Sequence, residues 1–300
     1  MNENINRVKN NSNRNKYLIE SFTSKIFLLS AFISVISLLL IIGFVFYKGS
    51  IPFISKGYSF IDFLFGTEWV PSADKFGILP MILASVYATL GSLIIGVPVG
   101  ILTATFIVEV APKSLSKIIS PAVELLAGIP SVLYGIFGLA FLVPNIQKIF
   151  NLPKGQSLLA VIIVLAVMML PTIITVSQTA IRAVPKSYKE ASLALGSSKT
   201  QTTFNIVLPA AKSGILAAVV LGVGRAIGET MAVILVAGNS PAIPSSLMDS
   251  VRPLTTNIVL EMGYAFGTHQ EMLFSTGIVL FIFIIILNLI LSMISKKEED

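Results

Sequence analysis

Long apolar stretches, separated by short polar segments, are the dominant pattern of the chain. Four of them contain no Asp, Glu, Lys or Arg, one contains only Glu124, and one contains only Arg225 and Glu229. A helix that crosses a bilayer needs about 20 mostly apolar residues. The pattern therefore predicts an all-α membrane protein with six transmembrane helices, at about 26–47, 76–108, 118–143, 157–181, 213–237 and 273–295.

The composition argues against a soluble protein. Apolar residues make up 54% of the chain and charged residues 12%, with a mean hydropathy of +0.87, whereas a soluble domain carries about 25% charged residues. The absence of Cys excludes disulfides, a thiolate nucleophile and cysteine metal sites. A single histidine, His269, argues against a histidine metal cage. We therefore expect no metal and no cofactor.

The basic residues predict how the chain lies in the membrane. With the N-terminus inside, the segments 1–25, 109–117, 182–212 and 296–300 are cytoplasmic and hold 14 Lys or Arg, against six in the external segments. Cytoplasmic loops of membrane proteins carry such an excess, so both termini are expected in the cytoplasm. The polar tail 1–25 is expected to be disordered. The excess of Lys and Arg in the cytoplasmic segments of a protein held in membrane lipid then explains the net charge of +6, and no nucleic-acid partner is needed to explain it.

Catalytic motifs are missing from the chain. It contains no G-x-S-x-G, and the predicted spans contain no Asp, which argues against serine and aspartyl intramembrane enzymes. Residues 196–200 resemble the end of a phosphate-binding P-loop, but Lys199 follows Ser198 where that motif has Gly. We therefore expect that the protein is not an enzyme, and that any ATP is hydrolysed by a separate subunit.

The predicted cytoplasmic loop 182–212 contains signals for two short helices. Pro185 suits the first position of a helix, and Gly196 can take the left-handed conformation that ends it. Ser198 can cap a second helix, which Pro209 ends. The pattern predicts a helix–turn–helix across the membrane face, with a flat first helix suited to docking in a groove because of three small side chains, Ala191, Ser192 and Ala194.

The same loop resembles the E-A-A, three residues, Gly, nine residues, I-x-L-P loop of ABC-transporter permeases. Six residues match at that spacing, namely Glu190, Ala191, Gly196, Ile206, Leu208 and Pro209, while Ser192 replaces the third small residue. The resemblance implies the type I ABC importer permease fold. It also implies that these six residues couple the spans to a separate ATPase subunit.

Two further segments are similar to the phosphate-specific transport permeases, and to the PstC-type subunit more than to the PstA-type subunit. They are Gly-Ile-Pro-Ser-Val-Leu-Tyr-Gly at 128–135 and Gly-Arg-Ala-Ile-Gly-Glu-Thr at 224–230. The resemblance implies an importer of inorganic phosphate in a bacterial cell membrane. Its partners would be a PstA-like sister permease, a PstB-like ATPase dimer and a PstS-like external phosphate-binding protein.

Alternative functions remain open from the sequence. A permease for sulfate or molybdate, or the PstA-type sister subunit, would share most of these motifs. A secondary transporter or channel that works without ATP is the alternative from another class, and the 190–209 loop argues against it.

Arg225 and Glu229 are the candidate residues of the substrate pathway. They are four residues apart, so in a continuous helix they share one face. Charges within a membrane are expected to face a protein interior or a wet cavity, and Gly224 and Gly228 beside them would allow close helix approach. An ion pair that only locks helices together is the alternative.

Three other features receive smaller roles. Glu124 is expected to be a partly solvated structural carboxylate at the cytoplasmic end of its span. Gly128 and Pro130 are expected to kink the third span. His269 is an isolated loop residue in the sequence and is assigned no role.

Overall fold

A computed structural model describes the backbone of residues 2–296 and the side chains of residues 20–293. The described chain is a helical bundle whose only sheet is a two-stranded hairpin. Three π-helical turns interrupt or extend the helices, at Phe106–Val110, Gly138–Leu142 and Thr203–Val207. The α-helices are α1 (Asn2–Ser55), α2 (Phe60–Phe65), α3 (Leu79–Thr105), α4 (Lys113–Ala127), α5 (Ser131–Phe137), α6 (Val143–Ile149), α7 (Leu158–Ala183), α8 (Lys186–Ala194), α9 (Lys199–Thr202), α10 (Leu208–Ala210), α11 (Lys212–Gly228), α12 (Met231–Val236), α13 (Leu254–Met262) and α14 (Thr268–Lys296).

Five helical segments of the described chain are long and apolar enough to cross a membrane. They are Glu20–Ser55, Leu79–Val110, Ser131–Ile149, Leu158–Ala183 and Thr268–Met293. The number rises to six when the pair Lys199–Ala210 and Lys212–Gly228, which bends by 70°, is counted as one span. We call the end of the bundle that carries β1 (Trp69–Val70) and β2 (Lys75–Phe76) the hairpin end, and the end that carries 186–210 the loop end.

The first helix is Asn2–Ser55, and its side chains are described from Glu20 onward. Residues 20–25 belong to this helix, whereas the rest of the tail predicted to be disordered at 1–25 lies outside the residues whose side chains the structure describes. No Gly or Pro occurs between Glu20 and Gly43, so nothing in that stretch breaks the helix. Its apolar side chains are exposed over most of the span, as expected for a helix in contact with lipid. It packs on α14 at Gly49, whose backbone oxygen accepts a 2.7 Å hydrogen bond from Ser275.

The second span begins at Leu79, three residues later than predicted. The residues before it form the antiparallel hairpin, in which Trp69 faces Phe76 and Val70 faces Lys75. Phe76 is buried beneath the hairpin with Trp69, so its hydrophobicity belongs to this small cluster and not to the span.

The third predicted span, 118–143, is interrupted at Gly128 and Pro130, where a kink was predicted, and the segment long enough to cross a membrane is Ser131–Ile149. Helix α4 ends at Ala127, and α5 begins at Ser131 after Pro130, whose extended ψ of 136° cannot continue a helix. Pro130 has no N–H to donate and restricts the residue before it. Glu124 lies exposed on α4.

Helix α7 is the centre of the bundle, because α3 and α11 both pack against it closely. Glycines make this approach possible: a Cβ on Gly100 of α3 would lie 2.7 Å from Ile173, and one on Gly222 of α11 would lie 2.9 Å from the same side chain. Ile173 is fully buried between them. Helix α11 also packs against α14 through Val219, Val223 and Ile227, and it leaves Leu221 and Gly228 exposed.

Candidate functional site

The fifth predicted span, 213–237, is also broken. Helix α11 ends at Gly228, Glu229 is extended with φ −72° and ψ 130°, and α12 begins at Met231. Arg225 and Glu229 therefore do not share one helix face, and that prediction is wrong. The break places a charged side chain on each side of an interrupted helix.

Two side chains satisfy backbone groups that the break releases. The carboxylate of Glu229 accepts a 3.0 Å hydrogen bond from the backbone N–H of Ala232, in the first turn of α12. The hydroxyl of Thr255 donates to the backbone oxygen of Glu229 at 3.3 Å. Because backbone groups buried without a partner are costly, these bonds explain why the chain can leave the helix here.

Arg225 is half-buried and has no hydrogen bond or ion pair with the residues that the structure describes. It lies close enough to Tyr134 of α5 to interact with it electrostatically. A Cβ on Gly224 or Gly228 would meet no atom within 4 Å, so among the described residues neither glycine packs against another helix, and the close helix approach that they would allow stays a prediction. The guanidinium therefore lies beside an open face of the bundle.

The two helix breaks lie side by side. A Cβ on Gly135 of α5 would lie 2.7 Å from the Cα of Ala232 in α12, so the helices that follow the two breaks are in direct contact. Tyr134 spans the first break, since its hydroxyl donates a 2.7 Å hydrogen bond to the backbone oxygen of Leu126. Both discontinuities, with Arg225 beside them, thus form one region within the membrane-spanning bundle. We call residues 128–130 and 225–230 the break region.

The helix–turn–helix predicted for the loop end is confirmed. Helix α8 follows Pro185, and Gly196 has a φ of +86°. Ser198 and Gln201 form a capping box at the start of α9. Pro209 lies within α10, and the bend into α11 comes two residues later, at Ala211.

The predicted coupling residues of the loop lie mostly at the surface. Glu190, Ala191, Gly196, Ile206 and Pro209 are exposed, and Leu208 is half-buried. Ser192 was expected on the flat docking surface but is buried, where its hydroxyl lies 2.9 Å from that of Thr202. Large apolar side chains fill the exposed surface instead, namely Tyr188, Leu193, Leu195, Phe204 and Ile206.

An ion pair fixes α8 to the second span. Lys189 of α8 pairs with Glu109, which lies in the π-helical turn at the end of α3. The Glu109 side chain is only 12% exposed, so its charge is largely withdrawn from water. Neither residue was singled out in the sequence, because 80 residues separate them.

A second charged group, at the hairpin end, was also missed. Glu261 of α13 is buried, and its carboxylate contacts three side chains: the Trp69 indole at 2.7 Å, Arg252 at 2.7 Å and His269 at 2.8 Å. We call these four residues the Glu261 cluster. His269 is thus part of a buried polar network and is not isolated. Just outside it, burial first and then Glu261 raise the pKa of Tyr264, while Arg252 lowers it.

Residues 96–299 match the family described as "Binding-protein-dependent transport system inner membrane component". The chain belongs to this family. One relative is the probable ABC transporter permease protein YqgH of Bacillus subtilis (strain 168), which is 42% identical over 256 residues, 84% of this chain and 83% of that protein. Another is the phosphate transport system permease protein PstC of Xylella fastidiosa (strain 9a5c), 36% identical over 263 residues, 80% of this chain and 81% of the relative.

Solved structures agree on the fold. The chain is similar to a bacterial ABC transporter involved in the import of the acidic polysaccharide alginate, with a TM-score of 0.66 and 18% identity over 90% of this chain and 96% of the other. It is also similar to the inward-facing MetNI methionine ABC transporter, with a TM-score of 0.54 and 21% identity over 74% of this chain and 94% of the other. The predicted fold is confirmed: this is a multi-pass membrane protein with the type I ABC importer permease fold.

Proposed function

We propose that this permease is the PstC-type subunit of an ATP-driven importer that carries inorganic phosphate across a bacterial cell membrane. The observation that supports this most is the unpaired, half-buried guanidinium of Arg225 in the break region. A charge at the centre of a membrane helix costs about 2.5–3.5 kcal/mol on insertion scales. A cation kept there without a partner among the residues that the structure describes is available to an anion that passes.

The chemistry of Arg225 suits an oxyanion. Phosphate must lose much of its water to cross the membrane, and arginine stays protonated while it offers a planar fork that can bind two oxygens at once. The open space at Gly224 and Gly228 leaves room for an anion beside the guanidinium. The named phosphate transport relative supports phosphate over sulfate or molybdate, which remain the alternative substrates.

The role of Glu229 differs from the one that its spacing from Arg225 predicts. Its carboxylate accepts a hydrogen bond from Ala232 and makes no ion pair with Arg225. Glu229 therefore belongs to the pathway as the residue that stabilises the helix break beside Arg225. Arg225 is the residue that meets the anion.

The open face around Arg225 needs a second membrane protein to cover it. Lipid against a charged guanidinium would be unfavourable, so we assign this face to a PstA-like sister permease. A translocation path between the two subunits would then be enclosed. The fold is the same for both subunits, so a PstA-type identity for this chain is the remaining alternative within the family.

The exposed surface of α8 and its neighbours is proposed to bind a separate, PstB-like ATPase dimer. Gly196 tests this, because Asp and Asn are the L residues that best adopt its left-handed φ of +86°, so that Gly196→Asp differs from Gly196→Asn by the charge it adds at the docking surface. We expect Gly196→Asp to insert normally but to lose ATP-driven uptake. Gly196→Asn is the matched control, since Asn tolerates this backbone conformation and adds no charge. Full uptake by Gly196→Asp with the ATPase still bound would contradict the assignment.

The loop end is proposed to be cytoplasmic, with both termini on that side, and the hairpin end external. The chain has no cysteine, so single cysteines can be introduced without background. Ser72 and Ser198 are exposed at opposite ends of the bundle. An impermeant thiol reagent should label Ser72→Cys in intact cells, and Ser198→Cys only after the membrane is opened. The reverse pattern would contradict the orientation.

Reconstitution tests the function itself. The complex of this permease, a sister permease and the ATPase should accumulate phosphate in proteoliposomes only when ATP and a phosphate-loaded, PstS-like binding protein are both present. Uptake of sulfate or molybdate at the same concentration separates the alternative substrates. Uptake that continues without ATP would favour a secondary transporter or channel and would overturn the proposal.

A further inference from the structure

The Glu261 cluster joins four separate parts of the hairpin end to one carboxylate. Trp69 belongs to β1, Arg252 to the segment before α13, Glu261 to α13 and His269 to α14. Arg252 also donates to the backbone oxygen of Asn239, just after α12, at 2.8 Å. The Glu261 side chain is only 8% exposed, so these hydrogen bonds are shielded from water and strengthened by their surroundings. No one of these segments can shift far without breaking a bond to a buried charge.

Helix α13 connects this cluster to the break region. Glu261 lies near its C-terminal end, and Thr255 near its start donates to the backbone oxygen of Glu229. The residue before, Leu254, donates its N–H to the hydroxyl of Ser85 in α3 at 3.0 Å. Leu254, Thr255 and Glu261 are all buried. A single short helix therefore has the buried carboxylate at one end and the helix break beside Arg225 at the other.

We propose that Glu261 is a positioning residue, through which movement of the external hairpin reaches the helix break at Glu229. The inference rests on the proposed function, with its external hairpin end and external binding protein, and adds that the binding protein docks at that end. Docking that displaces Trp69 pulls on the carboxylate, and α13 moves as a rigid unit. Thr255 then shifts the backbone of Glu229, which changes the geometry of the break beside Arg225.

Two conservative variants interrupt this route at its two ends. Trp69→Phe removes the indole N–H that donates to Glu261 but keeps an aromatic ring against Phe76 and His269. Thr255→Val removes the hydroxyl that donates to Glu229 and keeps the shape of the side chain. Thr255→Ser is a third variant, which keeps that hydroxyl and removes only the methyl group.

Matched controls delete neighbouring hydroxyls that lie off the route. Thr256→Val removes a buried hydroxyl that donates only to Pro253, at the start of the same helix. Tyr58→Phe removes a hydroxyl that donates to Asp74 at the hairpin turn and does not contact Glu261.

The experiment measures ATP hydrolysis by the full reconstituted complex, with and without phosphate-loaded binding protein. We expect Trp69→Phe and Thr255→Val each to lower the stimulated rate about threefold to tenfold, the range for one lost hydrogen bond. Each of these two variants should lose some thermal stability, because each leaves a buried acceptor with one donor fewer, so the readout is the ratio of stimulated to basal hydrolysis, which Thr255→Ser, Thr256→Val and Tyr58→Phe should leave unchanged. Because the two changes lie on one route, the double variant should be no worse than the more affected single variant.

Stimulation of both single variants at the wild-type level would overturn the inference. Effects that multiply in the double variant would also overturn it, because they would show two independent contributions. A loss of stimulation that tracks a loss of thermal stability, in controls as well as variants, would reduce Glu261 to a structural role. If the loaded binding protein does not stimulate even the wild-type complex, the proposed function itself fails. If it stimulates the wild-type complex and both single variants equally, only the role of Glu261 fails.

Discussion

Glu261 and Arg225 are both charged residues withdrawn from water, but their surroundings neutralise them to different degrees. The Glu261 carboxylate accepts hydrogen bonds from Trp69 and Arg252 and contacts His269. Arg225 has no such partner among the described residues and faces open space at Gly224 and Gly228. The first charge is satisfied within the chain and ties segments together. The second depends on something outside the chain.

This difference separates a structural charge from a functional one. A buried charge with good partners contributes to a defined arrangement, and its loss leaves its partners unpaired. A charge without partners is destabilising in the isolated chain, and such residues within membranes commonly mark pathways for substrates or ions. The two regions should therefore respond in opposite ways to the removal of charge.

The largest change in stability is expected on mutation of Glu261, whose carboxylate has three side-chain partners. Glu261→Leu leaves Arg252 as a buried, uncompensated cation, so we expect the complex to lose about 3–5 kcal/mol of stability. Arg225→Leu should leave stability unchanged or improve it, because it breaks no ion pair or hydrogen bond within the described part of the chain. Thermal unfolding of both variants in detergent measures the contrast. Equal losses in the two variants would remove the distinction between the regions.

Smaller changes in stability are expected when Gly135 and Gly224 are each replaced by Ala. A Cβ on Gly135 would lie 2.7 Å from the backbone of Ala232, so Gly135→Ala should destabilise the protein by about 1–3 kcal/mol through overpacking. Gly224→Ala adds the same methyl group on the open face beside Arg225, and should be neutral or stabilising by up to about 1 kcal/mol because Ala favours the helix. Thermal unfolding again compares them. A larger loss at Gly224 would show that the open face is packed.

The smallest effect is expected at Glu229. Glu229→Gln keeps an oxygen that can accept the hydrogen bond from Ala232, so stability should change by about 1 kcal/mol or less. Phosphate uptake should fall less than about threefold by the same reasoning. A collapse of uptake in this variant, with the complex intact, would show that Glu229 acts as a counter-ion to Arg225 after all.

Local features of the fold could be predicted from the sequence because their causes are local. The six apolar stretches, the left-handed Gly196 and the cap at Ser198 depend on residues within a few positions of each other. The break at Glu229 depends instead on Thr255, which is 26 residues away in the chain. The sequence analysis therefore placed Arg225 and Glu229, four residues apart, on one face of a helix, although the helix ends between them.

The charged groups depend even more on contacts between residues far apart in the chain, which the sequence does not predict. Glu261 receives a hydrogen bond from Trp69, 192 residues earlier, and Lys189 pairs with Glu109, 80 residues earlier. Hydropathy and spacing carry no information on such pairs. His269 was therefore interpreted as an isolated loop residue, and Glu261 was not singled out. Arg225 was identified because a cation within an apolar stretch is conspicuous even without its neighbours.

Phosphate uptake by Arg225→Gln in the reconstituted complex tests the central claim most directly. Loss of two hydrogen bonds between the guanidinium and the anion should lower uptake about tenfold to a hundredfold. The complex should still assemble, and its ATPase should still respond to loaded binding protein, while Arg225→Lys should retain part of the uptake because it keeps the charge. Uptake near the wild-type level in Arg225→Gln, or uptake restored by adding Glu229→Gln, would contradict the role of Arg225 as the partner of the anion.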